Sequence, residues 1–83
     1  MSYIFKWDEV ARIALKKLEP HISKRIVKKT KELQEDPFSK DVKHLRGQHG
    51  FRLRVGDYRV IFAIEGNEIH ILKVGHRKHI YDR

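Results

Sequence analysis

The sequence predicts a single α+β domain in which an antiparallel sheet packs on an N-terminal helical hairpin. Apolar residues recur at helical spacing between residues 8 and 36, whereas they alternate with polar residues, as in strands, between residues 51 and 74. Two dipeptides that begin with glycine, Gly56-Asp57 and Gly66-Asn67, separate the alternating segments. Such dipeptides are typical of two-residue turns between antiparallel strands. The 83 residues contain no linker or repeat, so we expect one domain over residues 1–83.

The N-terminal part predicts one short strand followed by a first helix. Tyr3, Phe5 and Trp7 alternate with other residues, as in a strand, and Asp8 follows as a helix N-cap. We expect this helix to extend to Glu19. Its predicted apolar stripe consists of Val10, Ile13, Ala14 and Leu18.

A second helix is expected to begin at Pro20, because proline suits the first helical position, and to end at Asp36-Pro37. Residues 38–44 are interpreted as a polar connection to the sheet. The predicted buried stripe of this helix consists of Ile22, Ile26 and Leu33. The cations expected to face water are Lys24, Arg25, Lys28, Lys29 and Lys31.

The two turns fix which residues face each other in a three-stranded meander. Counting from the first turn pairs Arg54 with Arg59, and counting from the second pairs Arg59 with Val74. One face of the sheet is then apolar and forms the floor for the helices, with Phe51, Leu53, Val55, Tyr58, Val60, Phe62, Ile64, Ile69 and Ile71. The opposite, uncovered face is expected to carry Arg52, Arg54, Arg59, Ile61 and Leu72.

The composition favours a polyanionic partner. Nineteen Lys and Arg against eleven Asp and Glu give a net charge of +8 and a pI near 10.0. A solvated surface with surplus lysine is the alternative, and only clustering of the cations separates the two. The chain lacks cysteine, and its first twelve residues match neither a signal peptide nor a membrane span, so we expect a cytoplasmic protein without membrane contact.

Arginines converge at one end of the uncovered face. Arg54 opposite Arg59, with Arg52 two residues along, costs stability because like charges face each other. The segment after the last strand delivers Arg77 to the same end, and Arg46 lies just before the first strand of the meander. Protection of a sheet edge needs fewer charges than this, so the cluster favours an anion site over edge protection.

Arginine suits phosphate because its planar group donates two parallel hydrogen bonds and keeps its charge. Tyr81 follows Arg77 closely and is a candidate for stacking on an unpaired base, with packing as its alternative role. Arg46, His49 and His76 are the further candidates for RNA contact.

The sequence predicts no metal and no cofactor. His76 and His79 have a spacing that could meet at a metal, but no acidic or cysteine residue is placed to complete a site. A phosphate-binding glycine loop, a nucleophile elbow and a pair of catalytic carboxylates are also absent from the sequence.

The combined motifs resemble the RelE/ParE toxin superfamily, and its RelE-like mRNA interferase branch in particular. The matching segments are Leu45-Arg46-Gly47, residues 51–55, residues 56–62, Val74-Gly75-His76-Arg77 and Tyr81. The resemblance spans nearly the whole chain and implies an active site on the open side of the sheet. It also implies a small acidic RelB-like antitoxin, a toxin–antitoxin heterotetramer, and the ribosome with its messenger RNA as target.

RelE-like toxins cleave messenger RNA in the ribosomal A site, where the substrate 2′-hydroxyl attacks the adjacent phosphate. By position, the resemblance implies catalytic roles for Arg52, Arg54, Arg59, Arg77 and Tyr81, with Arg77 as general acid. Arg52 and Arg54 stand where the best-known members have lysines, and arginine does not release its proton, so both are expected to act electrostatically. The general base stays open among His76, His79, His49 and the substrate's own surroundings.

Two other functions share this pattern. A ParE-like toxin that poisons DNA gyrase has the same fold, although Arg77 together with Tyr81 favours the ribonuclease. A non-catalytic RNA-binding module remains the third interpretation, because the sequence contains no unambiguous base.

Overall fold

The computed structural model describes residues 3–45 and 50–80. Within these residues the chain forms two helices and a five-stranded sheet in the order β1-β5-β4-β3-β2. The strands are β1 (Ile4–Trp7), β2 (Val42–His44), β3 (Phe51–Val55), β4 (Tyr58–Glu65) and β5 (Glu68–His76), and the helices are α1 (Glu9–Lys16) and α2 (Pro20–Lys31). The predicted α+β class is confirmed.

Both helices begin where the sequence predicts, whereas they end at other residues than predicted. Asp8 caps α1, because its carboxylate accepts a hydrogen bond of 2.9 Å from the Val10 backbone N–H. Pro20 occupies the first turn of α2, as predicted. However, α1 ends at Lys16, and α2 passes into a short 3₁₀ turn at Glu32–Gln34. Within the described segments, no helix is long and apolar enough to cross a membrane.

The buried side of α1 differs from the prediction. Ala11 is fully buried, whereas Val10 is 62% exposed and Ile13 is 44% exposed. The Asp8 backbone N–H donates to the Ile71 carbonyl of β5, which fixes how the helix leaves β1. Two turns of helix fit more than one apolar stripe, and the small Ala11 side chain allows the closer approach to the sheet. The residues that pack against the core from this helix and its end are Ala11, Ala14, Leu15 and Leu18.

One further strand lies at each edge of the predicted three-stranded meander. β1 lies parallel to β5, with Phe5 opposite Ile69, so the sheet is mixed rather than wholly antiparallel. β2 lies antiparallel to β3, with Val42 opposite Leu53, inside the segment interpreted as a polar connection. Three residues are too few to show strand alternation, which explains why the pattern missed β2.

A β-bulge changes the register between β4 and β5. Arg54 faces Arg59 as predicted, but Arg59 faces Gly75 and not Val74. The pairing shifts because Leu72 is an extra residue on β5, between the partners of Phe62 and Ile61. The bulge turns Val74 into the core.

The core lies between the helices and one face of the sheet, as the alternation predicts. The open face, which is the side away from the helices, carries Arg52, Arg54, Arg59, Ile61 and Gly75 by register. The fully or nearly fully buried residues of the core are Ala11, Ile26, Leu33, Leu53, Val55, Val60, Phe62, Ile69, Ile71 and Val74.

The open face is less exposed than predicted. Ile61 is only 8% exposed, because it lies between the facing residues Arg52 and Lys73, whereas Leu72 is exposed at 37%. Ile80 is also buried, and its Cδ1 lies 3.2 Å from the position that a Gly75 Cβ would occupy. The Lys73 ammonium donates a hydrogen bond of 3.0 Å to the Ile80 carbonyl. The turn after β5 therefore folds back over the open face.

Candidate nucleic-acid interface

A cavity of about 630 Å³ lies at the β3–β4 turn, between α2 and the end of the sheet. We call it the arginine pocket. Three carboxylates, Glu32, Asp41 and Asp57, share its lining with six cations, so its formal charge is +3. The six cations are Arg25, Lys28, Lys29, Arg54, Arg59 and Arg77. The arrangement suits a polyanion.

The β3–β4 turn holds Arg59 in place. One terminal nitrogen, Nη1, donates to the carbonyl oxygens of Gly56 and Tyr58, at 2.8 Å in each case. These two bonds leave the donors on Nε and Nη2 for other acceptors. The Gly56-Asp57 turn thus sets both the strand register and the direction of this arginine.

Asp41 connects Arg54 to helix α2. Its backbone carbonyl accepts from the Arg54 N–H at 2.9 Å, and its Oδ1 lies 3.6 Å from Arg54 Nη2. Its Oδ2 lies 2.9 Å from Lys29 Nζ. The Asp41 side chain is only 14% exposed, against 65% for Arg54. Sequence reasoning missed Asp41, because it precedes the unpredicted strand β2.

The Asp41–Lys29 contact moves the pKa of both groups. The hydrogen bond from Lys29 lowers the pKa of the Asp41 carboxyl, and the same bond raises the pKa of the Lys29 ammonium. Lys29 therefore stays protonated at neutral pH. It contributes charge to the pocket and is unsuited to act as a general base.

The same turn anchors Arg77. Its backbone N–H donates to the Asp57 carbonyl at 2.8 Å, and its Nε lies 3.6 Å from Asp57 Oδ1. Arg54, Arg59 and Arg77 therefore line one cavity, although they belong to three segments of the chain.

Arg52 lies in an adjoining cavity of about 300 Å³ on the open face. Arg54 and Arg59 line both cavities, so the structure brings the three predicted strand arginines together. Lys40 and Lys43, from the region of β2, add two further cations that the sequence did not single out.

The chain is similar to known toxins. Residues 5–81 match the family model described as the ParE toxin of the type II toxin-antitoxin system parDE. The chain is also 38% identical over 73 residues to Toxin RelE3 of Methanocaldococcus jannaschii, a match that covers 82% of this chain and 83% of that protein. The chain belongs to the RelE/ParE superfamily.

Solved structures of RelE/ParE toxins have the same fold. The toxin–antitoxin complex RelBE2 from Mycobacterium tuberculosis matches with a TM-score of 0.82 and 30% identity, over 93% of this chain and 100% of that chain. The archaeal RelE–RelB complex from Pyrococcus horikoshii matches with a TM-score of 0.81 and 30% identity, over 95% and 99% of the two chains. The chain is thus the toxin of a type II toxin–antitoxin system, as the sequence motifs indicated.

In this RelE/ParE toxin, His76 does not lie with the arginines. It faces Tyr58 on the helix side of the sheet, with ring centroids 5.3 Å apart, and its Nδ1 accepts from the Lys78 N–H at 3.1 Å. His76 was a candidate for RNA contact because it precedes Arg77, and the β-bulge at Leu72 places it on the other face of the sheet. The remaining predicted RNA contacts, Arg46 and His49, and the predicted catalytic Tyr81 lie outside the described residues.

The cations of α2 also lie differently from the prediction. Arg25 and Lys29 were expected to face water, yet both line the arginine pocket of this toxin.

His76 and His79 have ring centroids 6.2 Å apart. Within residues 3–45 and 50–80, the group with metal-ligand atoms close together is instead Glu65, Glu68 and His70, at the far end of the open face.

Proposed function

We propose that this toxin is a ribosome-dependent endoribonuclease that cleaves messenger RNA in the A site and so inhibits translation. The supporting observation is the convergence of Arg54, Arg59 and Arg77 on one cavity. Hydrogen bonds to the backbone of the β3–β4 turn hold two of them, Arg59 and Arg77. Cations fixed before the reaction stabilise developing negative charge without reorganisation during it.

The proposed chemistry is attack of the substrate 2′-hydroxyl on the adjacent phosphate. The oxygen–phosphorus bond to the next nucleotide breaks, which leaves a 2′,3′-cyclic phosphate upstream and a 5′-hydroxyl downstream. Arg52, Arg54 and Arg59 neutralise the charge on the pentacoordinate phosphate, and Tyr81 stacks on a base of the message. Arg77 stabilises the negative charge on the leaving oxygen, and water supplies the proton that makes this oxygen a 5′-hydroxyl.

Neither the arginines nor Lys29 of the arginine pocket suits the role of general base. Arginine keeps its proton, and the contact with Asp41 keeps Lys29 protonated. His76 packs beside Tyr58 on the helix side, so we do not assign it this role. His49, His79 and the substrate's own surroundings remain the candidates for removing the 2′-hydroxyl proton.

The proposed regulator is a small acidic RelB-like antitoxin. The solved relatives from M. tuberculosis and P. horikoshii are toxin–antitoxin complexes, and the net charge of +8 on this chain favours an acidic partner. We propose a heterotetramer of two toxins and two antitoxins, located in the cytoplasm. Expression of the toxin alone should arrest bacterial growth, and the neighbouring antitoxin gene should restore it. Normal growth with abundant folded toxin would contradict this.

A ParE-like gyrase poison is the second candidate, because the matching family model is that of the ParE toxin. The relatives that are 30–38% identical carry the RelE name, whereas the ParDE structure from P. aeruginosa, at 19% identity, shows the fold alone. These identities favour the ribonuclease.

The deciding experiment loads ribosomes with a defined message, adds purified toxin and maps the ends by primer extension. The ribonuclease proposal predicts breaks within the A-site codon and no cleavage of the same message without ribosomes. A parallel assay measures DNA supercoiling by gyrase. Intact message together with blocked gyrase would replace the proposal with the ParE-like function.

A further inference from the structure

Two cations of α2, Arg25 and Lys28, line the arginine pocket on its helix side. They are three residues apart and therefore share one face of the helix. Like charges at this spacing repel each other. In the part of the chain that the structure describes, neither side chain has a hydrogen bond or an ion pair. These two residues therefore leave positive charge uncompensated at the rim of the cavity.

Gly56 gives the Arg25 guanidinium its position. A Cβ on Gly56 would lie 3.0 Å from Arg25 Nη2, 3.1 Å from Nη1 and 3.2 Å from Cζ. Three nearly equal distances mean that the flat face of the guanidinium lies against the glycine. Gly56 also has a φ of +59°, a conformation that favours glycine, so the turn and the close approach require the same residue. The β3–β4 turn thus supports Arg25 as well as Arg59.

The negative groups of the pocket lie with the other cations. Asp41 contacts Lys29 and Arg54, and Asp57 contacts Arg77. Glu32, the third carboxylate, lies 3.8 Å from Lys29 Nζ. Two of the three unbalanced charges of the cavity, those of Arg25 and Lys28, therefore lie on its α2 side, and the third is that of Arg59, whose guanidinium contacts backbone carbonyls.

The cavity is larger than one phosphate group requires, since its volume of about 630 Å³ is within the range of pockets that hold whole ligands. We propose that Arg25 and Lys28 form a second phosphate subsite, which binds the RNA backbone next to the phosphate held by Arg54, Arg59 and Arg77. The inference rests on the proposed function only in taking RNA as the polyanion. The planar donor pair of Arg25 matches a phosphate, and Lys28 adds a point charge.

The test compares the double variant Arg25→Gln/Lys28→Gln with Lys24→Gln/Lys31→Gln. Both remove two charges from α2, but Lys24 and Lys31 do not line the arginine pocket. Thermal unfolding first establishes that both variants fold. The probe is a single-stranded oligoribonucleotide with 2′-O-methyl sugars, which has no free 2′-hydroxyl to attack the phosphate. Fluorescence anisotropy gives its Kd over a range of salt concentrations.

The proposal predicts that only Arg25→Gln/Lys28→Gln reduces the slope of log Kd against log salt by about 1.4, which corresponds to two phosphate contacts on a single strand. Equal reductions of this slope in both double variants would overturn the proposal, because they would reflect the lower net charge alone. Unchanged RNA binding with lost binding of a poly-glutamate peptide would overturn it in favour of an acidic protein ligand. The binding test does not depend on cleavage. A reduced slope without ribosomal cleavage would remove the proposed ribonuclease but keep the subsite. Ribosomal cleavage with an unchanged slope would keep the ribonuclease but remove the subsite.

Discussion

Arg54 and Arg59 face each other directly across β3 and β4, and both line the arginine pocket. Facing like charges cost stability in an antiparallel sheet. Asp41, beside Arg54, and the turn carbonyls that bind Arg59 reduce this cost. The remaining cost is explained by a function of these exposed cations in binding a negatively charged ligand.

Arg54→Thr should separate stability from activity. The side chain is 65% exposed, so we expect the free energy of unfolding to change by no more than about 0.5 kcal/mol, while RNA cleavage falls. Urea unfolding and the ribosomal cleavage assay measure the two effects. Arg12→Thr, an exposed arginine of α1 that lines neither cavity, is the matched control and should keep full activity. A strongly destabilised Arg54→Thr protein would show that Arg54 is a structural residue.

Arg77→Ala should lower the cleavage rate on the order of 100-fold, because the guanidinium acts mainly on the charge of the transition state. Ribosome binding should weaken much less. Single-turnover cleavage and ribosome co-sedimentation measure the rate and the binding. Lys78→Ala removes the neighbouring exposed cation and should have little effect on the rate. Equal losses in the two variants would argue against a specific role for Arg77.

Asp41→Asn should remove part of the pH dependence of stability. The pKa of Asp41 is lowered in the folded protein, so its carboxylate stabilises the fold above pH about 4, and this contribution is lost as the pH falls further. Chemical unfolding between about pH 7 and pH 3 should therefore show wild type and variant converging at the acid end. In a Lys29→Gln background the same substitution should matter less, because its main partner is absent. A constant difference at every pH would contradict the assignment.

Several features of the fold and the site follow from local sequence, and others do not. The Gly56-Asp57 turn is sufficient to predict that Arg54 faces Arg59. The bulge at Leu72 is invisible in the sequence, because an apolar residue there continues the strand pattern. That one extra residue places Gly75 beside Arg59 and moves His76 to the helix side.

The sequence pattern also did not predict that α2 contributes residues to the arginine pocket. Helical periodicity separates apolar from charged positions, but it does not determine which charged residues approach the sheet. Arg25 reaches the β3–β4 turn because Gly56 lacks a side chain, and Lys29 is drawn in by Asp41. Both contacts join residues distant in sequence, so only the packed structure reveals them.

Ile80→Ala should destabilise the protein by about 2 kcal/mol, since Ile80 is 4% exposed and packs at Gly75 on the open face. Leu72→Ala, at the exposed bulge, should cost less than about 1 kcal/mol. Urea unfolding of both variants measures the difference. Equal costs would mean that the turn after β5 does not stabilise the open face.

The most direct test of the proposed chemistry replaces the cleaved nucleotide of a ribosome-bound message by its 2′-deoxy form. If the 2′-hydroxyl is the nucleophile and the arginines stabilise the charge on phosphorus, the all-ribose message should be cut in the A site. The upstream fragment should carry a 2′,3′-cyclic phosphate, and the deoxy message should stay intact. Cleavage of the deoxy message at the same position and at a similar rate would contradict the account.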